Sequence, residues 1–376
     1  MRIFYDCTYL RNAHTGVDIY FISLIPQILK NGPNNEYIIF VDSRYNQFEL
    51  KKAIDEASNV QIKTIYSPLP LQVLYAAFLF PFYLRFKKVD IYHNPYFFGP
   101  LFGFISHKTK VVITVHDMYH RTIPKLMNPV LNVLFRLFAD YAIKMANEVI
   151  VISQQTKKDV VKFLKIDESK LNLVHQALNS KFNELSNNAN DYIDKHGLER
   201  EKYLLTIGKV LPSKGLDDLI VAFKAFLDKS PDKKIKLVSV GMHPTNYVDK
   251  IRSLILELEL TQNVLLLGYV SDLDILILYE NCNIVVVPSH YEGFGLPILE
   301  GMKFRKPVIA RNASSLTEVL GDGGKLFNTN LELADLILEV NSNQKLRDDL
   351  IVKGDRRLKY FSWENTAKKT LIVYNK

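Results

Sequence analysis

Short apolar runs alternate with amphipathic stretches along nearly the whole chain, and the pattern occurs twice. In the first half Arg2 to Asp6, Tyr37 to Val41, Ile91 to His93, Val111 to Val115 and Glu148 to Ile152 read as strands, with helical patterns such as Val17 to Leu29 and Lys125 to Met145 between them. In the second half Tyr203 to Ile207, Lys236 to Val240, Val264 to Leu267 and Ile284 to Val287 read as strands, and Leu216 to Asp228, Tyr247 to Leu258 and Asp272 to Glu280 as helices. Strands spaced by helical crossovers pair in parallel, which implies sheets built from βαβ units. A chain of 376 residues is natural for two cores of roughly 180 residues each. The expected architecture is therefore α/β, with two Rossmann-like domains. Open parallel sheets bind ligands beyond the carboxyl ends of their strands, so two facing sheets would hold one in a cleft between domains. The polar stretch Asn179 to Glu199 is the expected boundary.

The densest chemistry lies in residues 287–300, Val-Pro-Ser-His-Tyr-Glu-Gly-Phe-Gly-Leu-Pro-Ile-Leu-Glu. A strand ends at Pro288, a loop with Gly293 and Gly295 around Phe294 follows, and a helix begins near Pro297. Loop amides beside glycines at a helix N-terminus form an anion site. Glu292 and Glu300 stand with seven residues between them. A carboxylate two turns beyond the loop can accept hydrogen bonds from a pair of sugar hydroxyls. Diphosphate at the loop and ribose at Glu300 is the arrangement a nucleotide-sugar needs.

This stretch resembles the E-x7-E signature of retaining glycosyltransferases of the GT-B fold, in particular the large family 4 (group 1) typified by bacterial mannosyl- and glucosyltransferases. Pro307-Val308-Ile309-Ala310 and Ser314-Ser315-Leu316-Thr317-Glu318-Val319 fit the same family. The resemblance implies domains at 1–182 and 183–361, with the last helix (362–376) crossing back to the first. It implies that Glu292 positions the transferred sugar, that Gly293, Phe294, Gly295, Leu296 and Glu300 bind the donor, and that main chain around Val270 meets the base. Gly208-Lys209-Val210-Leu211-Pro212-Ser213-Lys214-Gly215 is similar to the family's G-R-x-x-x-x-K-G element, whose cations neutralise the leaving diphosphate. Lys214 matches; Lys209 replaces the usual Arg and gives up bidentate contact. His116, in Thr114-Val115-His116-Asp117, matches a histidine beside the transferred sugar, with Asp117 and His120 as weaker candidates. Gly16, in Thr15-Gly16-Val17, is the single glycine of a loop that is glycine-rich in the family. Ser153 fits a family position at the cleft, but the N-cap of the next helix is the preferred reading. Arg305 stands where the family has a glycine, which is expected to change a helix C-cap. The resemblance also implies front-face attack with retention, the leaving phosphate oxygen taking the acceptor's proton.

No Asp-x-Asp element ends a strand and no His/Cys cluster has ligand spacing, so neither metal nor cofactor is expected; lysines and helix-terminal amides would carry the diphosphate charge. Gly293-Phe294-Gly295 lacks the third glycine of a dinucleotide fingerprint, which disfavours a dehydrogenase. Cys7 and Cys282 are too few for a disulfide framework and suit a reducing compartment, and the N-terminus reads as a strand. The formal charge is +8, and residues 1–180 hold 21 Lys and Arg against 14 Asp and Glu, while the remainder holds 27 against 26. Residues 75–104 contain twelve aromatics, from Tyr75, Phe78, Phe80 and Phe82 to Phe102 and Phe104, among Arg85, Lys87 and Lys88. A basic, aromatic, interrupted apolar run suits an interfacial helix or a buried helix pair. With the charge, it suggests a peripheral protein on the inner face of the cytoplasmic membrane. The expected substrates are GDP-mannose and a lipid-linked oligosaccharide of O-antigen or capsule type, with no nucleic acid partner. The alternatives are a UDP-sugar donor, a nucleotide-sugar epimerase of the same fold, and a non-catalytic nucleotide- or glycan-binding protein.

Overall fold

The computed structural model describes residues 1–376 except 11–15, 46–47, 55–56, 97–107, 180–181, 183–188 and 244–245. Thr15, Phe102 and Phe104, named above, thus lie outside the described residues. The chain forms two compact units, residues 1–179 with 362–376, and residues 180–361.

The first unit holds a seven-stranded sheet of β1 (Arg2–Cys7), β2 (Glu36–Asp42), β3 (Val60–Ile65), β4 (Ile91–Asn94), β5 (Lys110–Val115), β6 (Glu148–Val151) and β7 (Leu171–Leu173). Every pairing is parallel, in the order β3-β2-β1-β4-β5-β6-β7. β1 and β4 are covered on both faces; β1 carries the apolar run Ile3-Phe4-Tyr5, and β4 buries His93 and Asn94 beside Ile91 and Tyr92. β3 sits at the edge and alternates, Val-Gln-Ile-Lys-Thr-Ile, and β7 is three residues long. The helix Trp363–Asn375 belongs to this unit and packs against Gly16–Asn31. Its Trp363 indole donates to the Leu178 carbonyl at 2.8 Å, and Thr366 donates to His175 at 2.7 Å. Tyr374 reaches the sheet itself, 2.6 Å from the Tyr5 hydroxyl and 2.5 Å from His93 Nδ1, all three side chains being buried.

Two long helical runs cover one face of this sheet. Leu69–Leu74, one π turn at Tyr75–Leu79 and Phe80–Phe86 form the first. The second does not begin at Lys125. A 3-10 turn, Pro124–Leu126, comes first. Asn128 then caps Pro129–Leu134 by accepting from the Val130 and Leu131 amides, and the run continues through a π turn, Phe135–Ala139, to Asp140–Met145. By register Phe4, Tyr92, Val111, Ile113 and Val149 share a sheet face. Phe80 and Leu84 pack on the first two, and Ala139, Ala142 and Ile143 on the last two. Each run also has an apolar outer stripe, Leu74-Phe78-Phe82-Phe86 and Val133-Leu137-Tyr141-Met145, with Phe82 61% and Phe86 82% exposed. The inner face of the aromatic run is therefore core, as the buried-helix reading expected, and its outer face is apolar and exposed. No helix among the described residues is long and apolar enough to cross a membrane.

The second unit holds β8 (Tyr203–Ile207), β9 (Lys236–Val240), β10 (Val264–Gly268), β11 (Ile284–Val287), β12 (Val308–Arg311) and β13 (Lys325–Phe327). These form a parallel six-stranded sheet in the order β10-β9-β8-β11-β12-β13. Phe223 and Phe226 of the helix Leu216–Lys229 meet Leu237, Ile284, Val286 and Ile337 in its core. The strand order reverses between β1 and β4 in the first sheet and between β8 and β11 in the second, the positions where such sheets open a crevice at their carboxyl ends.

Candidate active site

In the second unit the chain leaves β8 through Gly208 and Lys209 into a 3-10 turn, Pro212–Lys214, closed by Gly215. Gly215 has φ +65°, and a Cβ there would lie 2.3 Å from the Pro288 carbonyl oxygen, so only glycine lets this turn meet the end of β11. The His290 amide donates to the Ser213 carbonyl at 2.9 Å and ties the two loops together. A small cavity at the strand-order reversal is lined by Gly208, Lys209, Lys214, Ser239, Pro288 and Ser289. Lys209 is exposed at its mouth.

Lys214 Nζ stands 2.6 Å from Glu292 Oε1, and the Ser289 hydroxyl donates to the same oxygen at 2.8 Å. The Glu292 backbone is held as well: Ser314 and Ser315 donate their hydroxyls to its carbonyl at 2.7 and 2.9 Å. Arg311, nearly buried at the end of β12, donates to the Pro288 carbonyl at 2.8 Å and to Asp218 at 2.6 Å, bracing this loop from behind.

The helix Leu296–Lys303 starts at Gly295, whose φ is +106° and whose Cβ would strike Leu316 at 2.7 Å. Gly293 and Leu296 are half-buried beside it. The Phe294 residue is 2% exposed, and its ring meets Phe361 edge-on at 5.6 Å. It anchors the loop from below, so only its main chain can face a donor. Glu300, half-buried on the helix, accepts a hydrogen bond from the Tyr279 hydroxyl at 2.6 Å. Val270 lies after β10, at the sheet edge, before a capping box made by Ser271 and Asp274.

In the first unit His116 follows β5, 7% exposed, with its ring perpendicular to that of Tyr20. Its Nε2 lies 2.9 Å from the Pro95 carbonyl oxygen, which can only accept. The proton is therefore on Nε2, and Nδ1 is left as an acceptor. Burial lowers the pKa of His116 to about 4, so the ring is neutral at ordinary pH. His120 is buried, with its Nε2 within hydrogen-bond distance of Asp140 at 2.7 Å. Asp117 accepts from the Tyr119 amide at 2.9 Å in a local turn, and Ser153 is an N-cap that accepts from the Thr156 amide. Gly16 opens the helix Gly16–Asn31 in an exposed position with room for a Cβ, so its own geometry does not require glycine. Among the described residues no three His, Cys, Asp or Glu side chains gather into a metal-holding group.

Residues 188–357 match the family model of glycosyl transferases group 1, and residues 15–182 match that of glycosyltransferase family 4. The chain belongs to these glycosyltransferases. O-antigen chain mannosyltransferase B of Escherichia coli is 25% identical to it over 387 residues, covering 100% of this chain and 99% of that protein. O-antigen chain mannosyltransferase RfbU of Salmonella typhimurium is 29% identical over 216 residues, 57% of this chain and 56% of the other. A glycosyltransferase structure from Rickettsia africae ESF-5 superposes with a TM-score of 0.74 at 20% identity, covering 100% of this chain and 97% of that one, which shows the shared GT-B fold.

Four parts of this glycosyltransferase's site escape a reading of motifs. Ser289 and the Ser314-Ser315 pair were visible as text but carried no assigned contact. Tyr279 and Arg311 act on the site from neighbouring elements, and nothing in their local spacing announces it.

Proposed function

We propose that this glycosyltransferase moves mannose from GDP-mannose onto a lipid-linked oligosaccharide, with retention and without a metal, on the inner face of the cytoplasmic membrane during O-antigen or capsule-type synthesis. The observation that carries the chemistry is the Lys214–Glu292 pair beside the Gly208–Lys209 turn, where the second sheet reverses its order. An ammonium has three donors, so Lys214 can hold Glu292 and still donate to a phosphate oxygen. With Lys209 and the loop amides it stabilises the charge that develops as the diphosphate departs. Glu292, fixed by Ser289 and Lys214, orients the sugar rather than attacking it. The departing phosphate oxygen takes the proton of the incoming acceptor hydroxyl. Glu300 receives the ribose hydroxyls, and His116 Nδ1 accepts from a sugar hydroxyl. The choice of mannose rests on the similarity to O-antigen mannosyltransferases. The membrane placement rests on the two outer apolar stripes and on the basic balance of residues 1–180.

Thermal shift against GDP, UDP and ADP and their sugar conjugates tests the donor, with the largest rise expected for GDP-mannose and no loss in EDTA. A rise confined to UDP-sugars would overturn the donor, and no rise with any nucleotide would overturn the site. The anomeric configuration of the product, read by NMR, tests retention.

A further inference from the structure

We propose that Tyr279 is a positioning residue for the nucleotide: a buried aromatic clamp aims its hydroxyl at Glu300 and fixes that carboxylate in the orientation that receives the ribose hydroxyls. The inference rests on the reading of Glu300 as the ribose acceptor.

Tyr279 lies on the helix Asp272–Asn281 and is fully buried. Its ring stacks on Phe304 with centroids 5.4 Å apart and planes 2° from parallel, and it meets Phe182 edge-on at 6.1 Å. Phe304 is the C-cap of the helix that carries Glu300. The clamp therefore sets the hydroxyl in register with that helix, and the hydroxyl lies 2.6 Å from Glu300 Oε2. Burial, and secondarily the charge of Glu300, push the phenol well above its ordinary range. Tyr279 therefore keeps its proton and donates it to Glu300 Oε2. A glutamate side chain otherwise turns about three torsions and loses that freedom when a ligand arrives. Holding one oxygen in advance leaves less to be ordered on binding, which is how preorganisation raises affinity.

Tyr279→Phe keeps the ring and its stacking and removes only the hydroxyl. Titration calorimetry with GDP and UDP should show about tenfold weaker binding, the order expected for losing a hydrogen bond to a charged group. The 2′,3′-dideoxy forms of the same nucleotides should bind the variant and the parent equally. Donor KM should rise by a similar factor with kcat changed less than about twofold, as for lost uniform binding. Equal losses for ribose and dideoxyribose nucleotides would mean a structural role only and overturn the proposal. If Glu300→Ala weakens GDP and UDP while Tyr279→Phe does not, the tyrosine proposal alone falls. If Glu300→Ala leaves both affinities unchanged, the assignment of ribose to Glu300 falls and this inference with it.

Discussion

Lys214 and Glu292 are close enough that neither can be altered alone. Lys214→Ala removes the cation and leaves a half-buried carboxylate with one partner fewer. We expect kcat to fall about 10²- to 10³-fold in a transfer assay, the scale seen when one stabiliser of transition-state charge is deleted. Lys214→Arg should retain part of the activity. The two histidines at the carboxyl ends of the first sheet make a separate prediction. Burial lowers the pKa of His116 from 6.5 to about 4 and that of His93 to about 3. Both are neutral when folded and take up protons near pH 6.5 only when unfolded. Their contribution is complete above about pH 6.5 and is lost as the pH falls through 4, by roughly 3 kcal/mol for His116. Urea midpoints at pH 7.5, 6 and 5 should decline, and His116→Gln should flatten the decline. A midpoint that stays level across this range would contradict the burial of these rings. At this scale the motifs named Lys214, Glu292 and Glu300 as candidates, and the structure pairs Lys214 with Glu292 and sets Glu300 on the helix Leu296–Lys303. The sequence did not reveal the Phe294 ring as a loop anchor, because its partner Phe361 is distant in sequence.

The helix that carries Glu300 ends in a way that its text foretold. Arg305 has φ +54°, its amide donates to Met302 at 2.9 Å, and the Lys306 amide donates to Gly301 at 3.0 Å. These two bonds are a Schellman motif with arginine in the left-handed position. Arg305→Gly relieves that strain and loses only a long, exposed contact to Asp355 at 3.7 Å. We expect a gain of about 1 kcal/mol, read as a raised urea midpoint with unchanged kcat. An unchanged or lowered midpoint would show that the Asp355 contact outweighs the backbone term. Most central strands were legible for the same reason that they are stable, being buried on both faces; β12 was the exception, its four residues having been read only as part of a family phrase. β3 was not, because an edge strand alternates and Gln61 and Lys63 break its apolar run. β7 and β13 are too short to carry a period.

The first unit presents two exposed apolar stripes on one side of its sheet, and the exposed cations Arg85, Lys87, Lys88, Lys125, Arg136 and Lys144 lie in or next to the same runs in sequence. Each inserted aromatic is worth up to about 3 kcal/mol and each surface cation near anionic lipid about 1 kcal/mol. Anionic liposomes should therefore sediment the protein at low salt, and Phe82→Glu with Leu137→Glu should abolish this without lowering the melting temperature. Failure to sediment would sink the membrane placement. The return of residues 363–375 to the first unit has a further consequence, in time rather than space. Tyr5 and His93 are made early in synthesis, yet their buried polar atoms meet Tyr374, which is made 281 residues after His93. Until then those groups have no protein partner to replace water, and closing the sheet over them is unfavourable. At roughly 5–20 residues per second that wait lasts on the order of 15–60 s. The half of the chain that leaves the ribosome first is the half that finishes folding last.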